Sequence, residues 1–108
     1  MEVPAGGLSP DLTPEEVARR ELLEEVGGTA ADLRYVGQFY TSNGISNEAA
    51  YVYLATGVEL GDAQREPTEL MESRLVPVEE ALRMASEGEV TDGPSALALL
   101  WCERLLRL

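Results

Sequence analysis

Apolar positions between Pro14 and Val26 recur at Ala18, Leu22 and Val26, four residues apart, which is the spacing of one helix face. Thr13 followed by Glu16 forms a capping box, and Pro14 occupies the first helical position. A helix is therefore expected from about Pro14 to Val26, stopped by Gly27 and Gly28. Ahead of it, residues 2–5 read as the end of a short strand, and Gly6, Gly7, Pro10 and Pro14 make residues 6–13 a loop. Leu33–Tyr40 is rich in aromatic and β-branched residues and reads as a strand. Ser42-Asn43-Gly44 follows as a turn. Ala50–Thr56 alternates Val52 and Leu54 with Tyr51 and Tyr53, a second strand with two usable faces. Residues 57–68 read as a long acidic loop and Leu70–Val76 as a third strand. Val78–Ser86 reads as a short helix with Glu79 and Glu80 in its first turn, where the dipole favours them, ended by Gly88. Thr91 or Asp92 caps a last helix to about Leu106, with Leu97, Leu100 and Trp101 facing inward. The order of elements is α+β, a single domain over residues 1–108 with no break for a second.

Composition narrows the chemistry. The chain has no His, which excludes a Ser-His-Asp triad, a Cys-His dyad and a His metal site. Its single Cys, Cys102, allows no internal disulfide and no multi-cysteine zinc site, and reads as a buried inert thiol. The net charge of −12 comes from 20 acidic residues against 8 basic ones, all Arg. Such a surface cannot neutralise a run of phosphates, so nucleic acid is not an expected partner. It suits a protein that meets polyphosphates through a divalent cation held by carboxylates, and it suits plain solubility equally well. No apolar run approaches the ~20 residues of a membrane span, and Met1–Gly7 has neither a basic nor an apolar leader region. The expectation is a cytoplasmic protein with no membrane partner.

The informative stretch is Arg20-Glu21-Leu22-Leu23-Glu24-Glu25. Glu21 and Glu25 are four apart, so their carboxylates share a helix face, with Glu24 beside them. Like charges at that spacing weaken a bare helix by a few tenths of a kcal/mol. A divalent cation turns the repulsion into attraction, and hard oxygen donors on a rigid face suit Mg²⁺ or Mn²⁺. The loop Pro4-Ala5-Gly6 precedes them, close enough for a main-chain carbonyl to approach. A Glu pair alone is more often a solvated helix face with Arg19 and Arg20 as partners.

The longer pattern changes that balance. Gly6, thirteen residues, then Arg20-Glu21-Leu22-x-Glu24-Glu25-x-Gly27 resembles the box of the Nudix hydrolase family, Gly-x5-Glu-x7-Arg-Glu-U-x-Glu-Glu-x-Gly-U, with U a bulky aliphatic residue. Every gap has the right length, and two positions depart. Leu12 stands where the first Glu belongs and Gly28 where the last aliphatic belongs. The likeness extends to the family's ADP-ribose pyrophosphatase-like branch. Val3-Pro4-Ala5-Gly6 is similar to its Pro-Ala-Gly lead-in. Phe39-Tyr40-Thr41-Ser42-Asn43-Gly44 is similar to its Ser-Pro-Gly loop, with Asn43 in place of the Pro. Pro77–Leu82 and Gly88–Asp92 are similar to its C-terminal helix pair. Members carry tens of residues before Pro-Ala-Gly, whereas here Glu2 and Val3 alone follow Met1. The resemblance therefore implies a Nudix-like α/β/α sandwich, a mixed sheet packed between helices, short of its N-terminal strands. Open sheet edges favour association, so a homodimer is expected.

The same resemblance implies roles. Glu21 and Glu25 are metal ligands with the Ala5 carbonyl, and Glu24 is a ligand or a support for one. Arg20 holds the carboxylates in position, and Mg²⁺, or Mn²⁺, is the cofactor. The base that activates water is Glu69, ahead of Leu70, with Glu66 and Glu72 as alternatives. Gly6, Ser42, Gly44 and Glu48 contact substrate, Glu48 through the ribose. Tyr40, Tyr51 and Tyr53 read as half-buried strand residues rather than base-stacking ones, and Trp101 as core. The function implied is Mg²⁺-dependent cleavage of a nucleoside diphosphate sugar such as ADP-ribose, giving AMP and a sugar phosphate. The alternatives are a weakly active or inactive Nudix-fold nucleotide-binding module, which Leu12, Gly28 and Asn43 favour, and a fragment of a longer hydrolase.

Overall fold

The computed structural model describes residues 1–41, 48–62 and 74–106. In chain order its elements are α1 (Pro14–Val26), β1 (Gly28–Tyr40), β2 (Ala49–Leu60), α2 (Val78–Ser86) and α3 (Gly93–Leu106). Helices with a two-stranded antiparallel sheet, in the order β1-β2, make the α+β class that the sequence implies. The chain divides into two units, one of Pro4–Tyr35 with Tyr53–Arg74, the other of Met1–Val3, Val36–Val52 and Leu75–Leu108.

In the first unit, α1 begins and ends where the capping residues dictate. Thr13 Oγ1 accepts the Glu16 N–H at 3.2 Å, and Glu16 Oε1 accepts the Thr13 N–H at 2.9 Å. The Thr13 backbone and hydroxyl together hold the Glu16 carboxyl below its ordinary pKa. At the other end Gly27 adopts φ 68°, a left-handed conformation, and its N–H closes the helix on Leu22 and Leu23. The expected stripe of Ala18, Leu22 and Val26 is only half-buried, and Val17 is the buried residue of this helix. The reason is that α1 is covered over a broad arc. Leu22 lies against Gly28 and Val58. One position round, the face through Val17 carries Glu21 four residues on. A side chain at Gly28 would begin 2.9 Å from Leu22 Cγ and 3.3 Å from Val58 Cγ1, so glycine suits the space at this departure from the family pattern.

Both strands outrun their expected limits of Leu33–Tyr40 and Ala50–Thr56. Gly28–Asp32 has little strand propensity of its own, and residues 57–60 read as loop. They are extended because they pair with each other, and pairing overrides local preference. Gly61 N–H donates to Gly27 O at 2.7 Å, a Cβ on Gly57 would meet the Ala31 Cβ, and the Tyr35 and Tyr53 rings meet edge-on at 5.6 Å. Moving up β1 from 27 to 31 to 35 thus meets 61, 57 and 53 on β2, an antiparallel ladder in constant register. Residues 2–5 form no strand, and neither do Arg74–Val76. The rest of the expected third strand, Leu70–Ser73, lies outside the described residues, as does the turn Ser42–Gly44.

In the second unit, α2 and α3 pack on each other. Leu82, Ala85, Val90, Val52 and Cys102 are its buried apolar side chains. Asp92 is the cap of α3: its carboxylate accepts the Ser95 N–H at 3.1 Å, and its carbonyl accepts the Ala96 N–H at 3.0 Å. Of the residues expected to face inward, Leu97 and Trp101 are half-buried and Leu100 is exposed. Ser95 and Cys102 take the covered face of α3 instead. Trp101 meets Phe39 edge-on at 6.0 Å. Burial pushes the Cys102 thiol above its ordinary pKa, as expected of an inert thiol. Among the described residues no helix is long and apolar enough to cross a membrane.

Candidate functional site

The acidic face of α1 is met by a strap of backbone. The Ala5 N–H donates to Glu25 Oε2 at 3.0 Å. Next to it, Gly6 lies directly against Glu21. A Cβ built on Gly6 would fall 2.1 Å from Glu21 Cδ and from Glu21 Oε1, so the carboxylate occupies the space a side chain would fill. Pro4-Ala5-Gly6 thus brings main chain to both carboxylates that the i, i+4 spacing pairs. Glu21 is turned inward, its side chain 15% exposed, while that of Glu24 is 43% exposed.

Arg20 is the cation of this face. Its Nη2 is 3.6 Å from Glu21 Oε1 and its Nε 4.0 Å from Glu24 Oε1, both at the long end of ion pairing. Neither contact is the bidentate fork that makes Arg–carboxylate pairs strong. Arg20 Nε is buried and has no hydrogen-bond partner among the described residues. Leu12, at the position where the family pattern has an acid, is half-buried.

The other expected site residues divide clearly. For Ala5 the expected donor was the carbonyl, and the structure shows its N–H engaged with Glu25. Gly6, expected at the substrate, is packed on Glu21. Glu48 is exposed, and its carbonyl accepts the Thr41 N–H at 3.2 Å. Tyr40 and Tyr51 are exposed rather than half-buried, and Tyr53 pairs with Tyr35. Ser42, Gly44, Glu66, Glu69 and Glu72 lie outside the described residues. Among the described residues no group of three or more acids is gathered tightly enough to hold a metal ion. A pair of carboxylates nonetheless suits a hard cation such as Mg²⁺, which keeps several waters and takes phosphate oxygens alongside one or two protein carboxylates.

One tether went unforeseen in the sequence. Val3 N–H donates to Ser95 Oγ at 3.0 Å, and Ser95 is 2% exposed. Asp92 three residues before Ser95 signals a cap, but no local pattern announces a partner 92 residues away.

A family model described as the NUDIX domain matches residues 1–97. The chain belongs to the Nudix family. Its α+β fold is Nudix-like, and Nudix hydrolases in general use divalent metal ions. Among curated proteins this Nudix chain is 37% identical over 105 residues to an ADP-ribose pyrophosphatase of Bacillus subtilis, covering 95% of this chain and 57% of that protein. It is 36% identical over 107 residues to an ADP-ribose pyrophosphatase of Mycobacterium tuberculosis, covering 92% and 49%. It is 30% identical over 109 residues to a GDP-mannose pyrophosphatase of Klebsiella pneumoniae, covering 95% and 53%. The chain therefore spans about half the length of the curated relatives it matches.

Proposed function

We propose that this Nudix chain hydrolyses the diphosphate of a nucleoside diphosphate sugar such as ADP-ribose, releasing AMP and a sugar phosphate, with Mg²⁺ as its cofactor. The observation that carries the reading is the strap: Ala5 N–H bonded to Glu25 and Gly6 packed on Glu21, at the spacing of the Nudix box. Relatives named for ADP-ribose and GDP-mannose share this substrate class.

In this reading Glu21 and Glu25 hold Mg²⁺, or Mn²⁺, with the Ala5 carbonyl, and Glu24 assists as a ligand or a support. Bound there, the cation neutralises the diphosphate and polarises the attacked phosphorus. Arg20 keeps the carboxylates in place. Glu69 takes the proton of the attacking water as a P–O bond of the diphosphate breaks, and with no His in the chain a carboxylate is the natural base. Gly6, Ser42, Gly44 and Glu48 line the substrate. The working form is a cytoplasmic homodimer that binds neither nucleic acid nor membrane.

The test is hydrolysis of ADP-ribose and GDP-mannose by the 108-residue chain, with and without Mg²⁺, with nucleotides read by chromatography. Metal-dependent release of AMP or GMP is the expected result. A second reading, a Nudix-fold module that binds nucleotides without turnover, is favoured by Arg20 Nε having no acceptor among the described residues and by Leu12 at the acid's position. Binding of ADP-ribose with no product under either condition selects that reading.

A further inference from the structure

The second unit carries a groove of about 570 Å³ between its part of β1 and α3. Val36, Gly37 and Gln38 form one wall, and Leu100, Trp101 and Arg104 line the other. A space of this size falls in the range of small-molecule sites, about 300–1,000 Å³. Trp101 is held in place from the strand. A Cβ on Gly37 would begin 3.1 Å from Trp101 Cζ3 and 3.4 Å from Cε3, so bare main chain lies against the six-membered ring. Phe39, two residues on, meets the indole edge-on at 6.0 Å. The indole is only half-buried, and part of it borders the groove. Arg104 follows three residues later, so the two side chains are neighbours on one face of α3. Arg104 is exposed and has no ion pair or hydrogen bond among the described residues, although the chain holds 20 acidic residues against 8 basic ones. Arg83 of α2, in the same unit, gathers three glutamates. The last turn of α3 suits a cation through the helix dipole, and that role leaves the five guanidinium N–H donors unspent. Glu103 also borders the groove and already has a partner.

We infer that this groove binds an aromatic anion of mononucleotide size, with its ring against Trp101 and its charged group on Arg104. Ring contact and a charge-assisted hydrogen bond are what these two side chains offer. The planar guanidinium suits phosphate oxygens in particular, because it can donate to two of them at once. A neutral ring would leave Arg104 unused. A bare phosphate would meet one cation in a chain of net charge −12 and gain nothing from the indole. Both halves of the ligand are therefore needed. Every residue involved lies in the second unit, and none belongs to the proposed metal or substrate set, so the groove keeps its role whether or not the chain hydrolyses a diphosphate.

Trp101 is the one tryptophan of the chain, so a single indole N–H resonance reports on the groove. That resonance is followed as AMP, adenosine or inorganic phosphate is added to the 108-residue chain. A chelator is present throughout, so that the glutamates of α1 hold no cation able to recruit phosphate. Expected is a saturable shift with AMP, at an affinity about tenfold or more above those of adenosine and phosphate. Arg104→Gln lowers the AMP affinity to that of adenosine and leaves adenosine unchanged. Arg34→Gln removes the same charge from an exposed position in the first unit, and is expected to change the AMP affinity less than about twofold. Gly37→Ala displaces the indole and weakens AMP and adenosine together. Both arginines are exposed, so neither substitution threatens the fold. The absence of a saturable shift with AMP overturns the inference, and so does adenosine binding as tightly as AMP. It is equally overturned if Arg104→Gln binds AMP like wild type, or if Arg34→Gln loses as much affinity as Arg104→Gln.

Discussion

Two helices of this chain carry clustered glutamates around an arginine, and they do opposite things with them. On α2, Arg83 gathers Glu80 through Nε at 3.0 Å and Nη2 at 2.6 Å, Glu87 at 2.5 Å, and Glu89. These bonds, Glu80 first, then Glu89 and Glu87, hold the guanidinium above its ordinary pKa, and the cluster is saturated by its own cation. On α1, Arg20 stands 3.6 Å from a Glu21 oxygen and 4.0 Å from a Glu24 oxygen, and its Nε has no acceptor among the described residues. Glu25 accepts instead from the backbone of Ala5, and Glu21 fills the space over Gly6. Acid content does not separate the two helices. What separates them is where the counter-groups come from. A guanidinium on the same helix closes a surface network. On α1 a neighbouring strap of main chain meets the carboxylates as well, donating to Glu25 and lying against Glu21.

The sharpest way to break this contrast is to remove one carboxylate from each helix. Glu25→Gln is expected to lower Mg²⁺-dependent kcat/KM for ADP-ribose by more than about 100-fold, beyond what outer partners of a metal site cost. Glu80→Gln is expected to change it less than about twofold, since surface ion pairs matter little even to stability. Equal losses would erase the distinction. Gly6→Ala comes next. Its new Cβ must push the Glu21 carboxylate away, and that carboxylate is the end of a flexible side chain. Activity is therefore expected to fall about tenfold, with little change in melting temperature.

Leu12→Glu sharpens the comparison from the other side. If the acid of the box supplies an acceptor to Arg20 Nε, which has none among the described residues, the variant gains about 1 kcal/mol in denaturant unfolding, the usual net value of one hydrogen bond. An unchanged midpoint would separate Leu12 from Arg20. Thr13→Ala has the most local effect, a loss of about 1 kcal/mol from the N-cap of α1. Part of this loss depends on pH. Glu16 has a lowered pKa in the folded chain, so its contribution is present above the unfolded carboxylate value and disappears as pH falls through the folded one. Thermal melts at neutral and acid pH should show the gap between variant and wild type narrowing in acid.

Local signals explain what was legible. The ends of α1 at Pro14 and Val26 and of α2 at Val78 and Ser86 match expectation because proline, the capping box and glycine act within a turn of where they stand. Strand lengths were not legible, because Gly28–Asp32 and residues 57–60 are extended by pairing across the hairpin. The covered face of α3 was misread for a related reason. Ser95 is polar, and only partners at Val3 and Asp92 make its burial acceptable.

By itself the sequence determined the family, the α+β class and the pairing of Glu21 with Glu25 on one face of α1. Motif spacing and helical period are properties of consecutive residues, and no folding is needed to read them. Only the tertiary structure decided what meets that face: Ala5 donating to Glu25 and Gly6 yielding its space to Glu21. The Ala5–Glu25 contact joins residues 20 positions apart. Their partners are set by packing rather than by pattern, because a backbone N–H carries no sequence signature of its own.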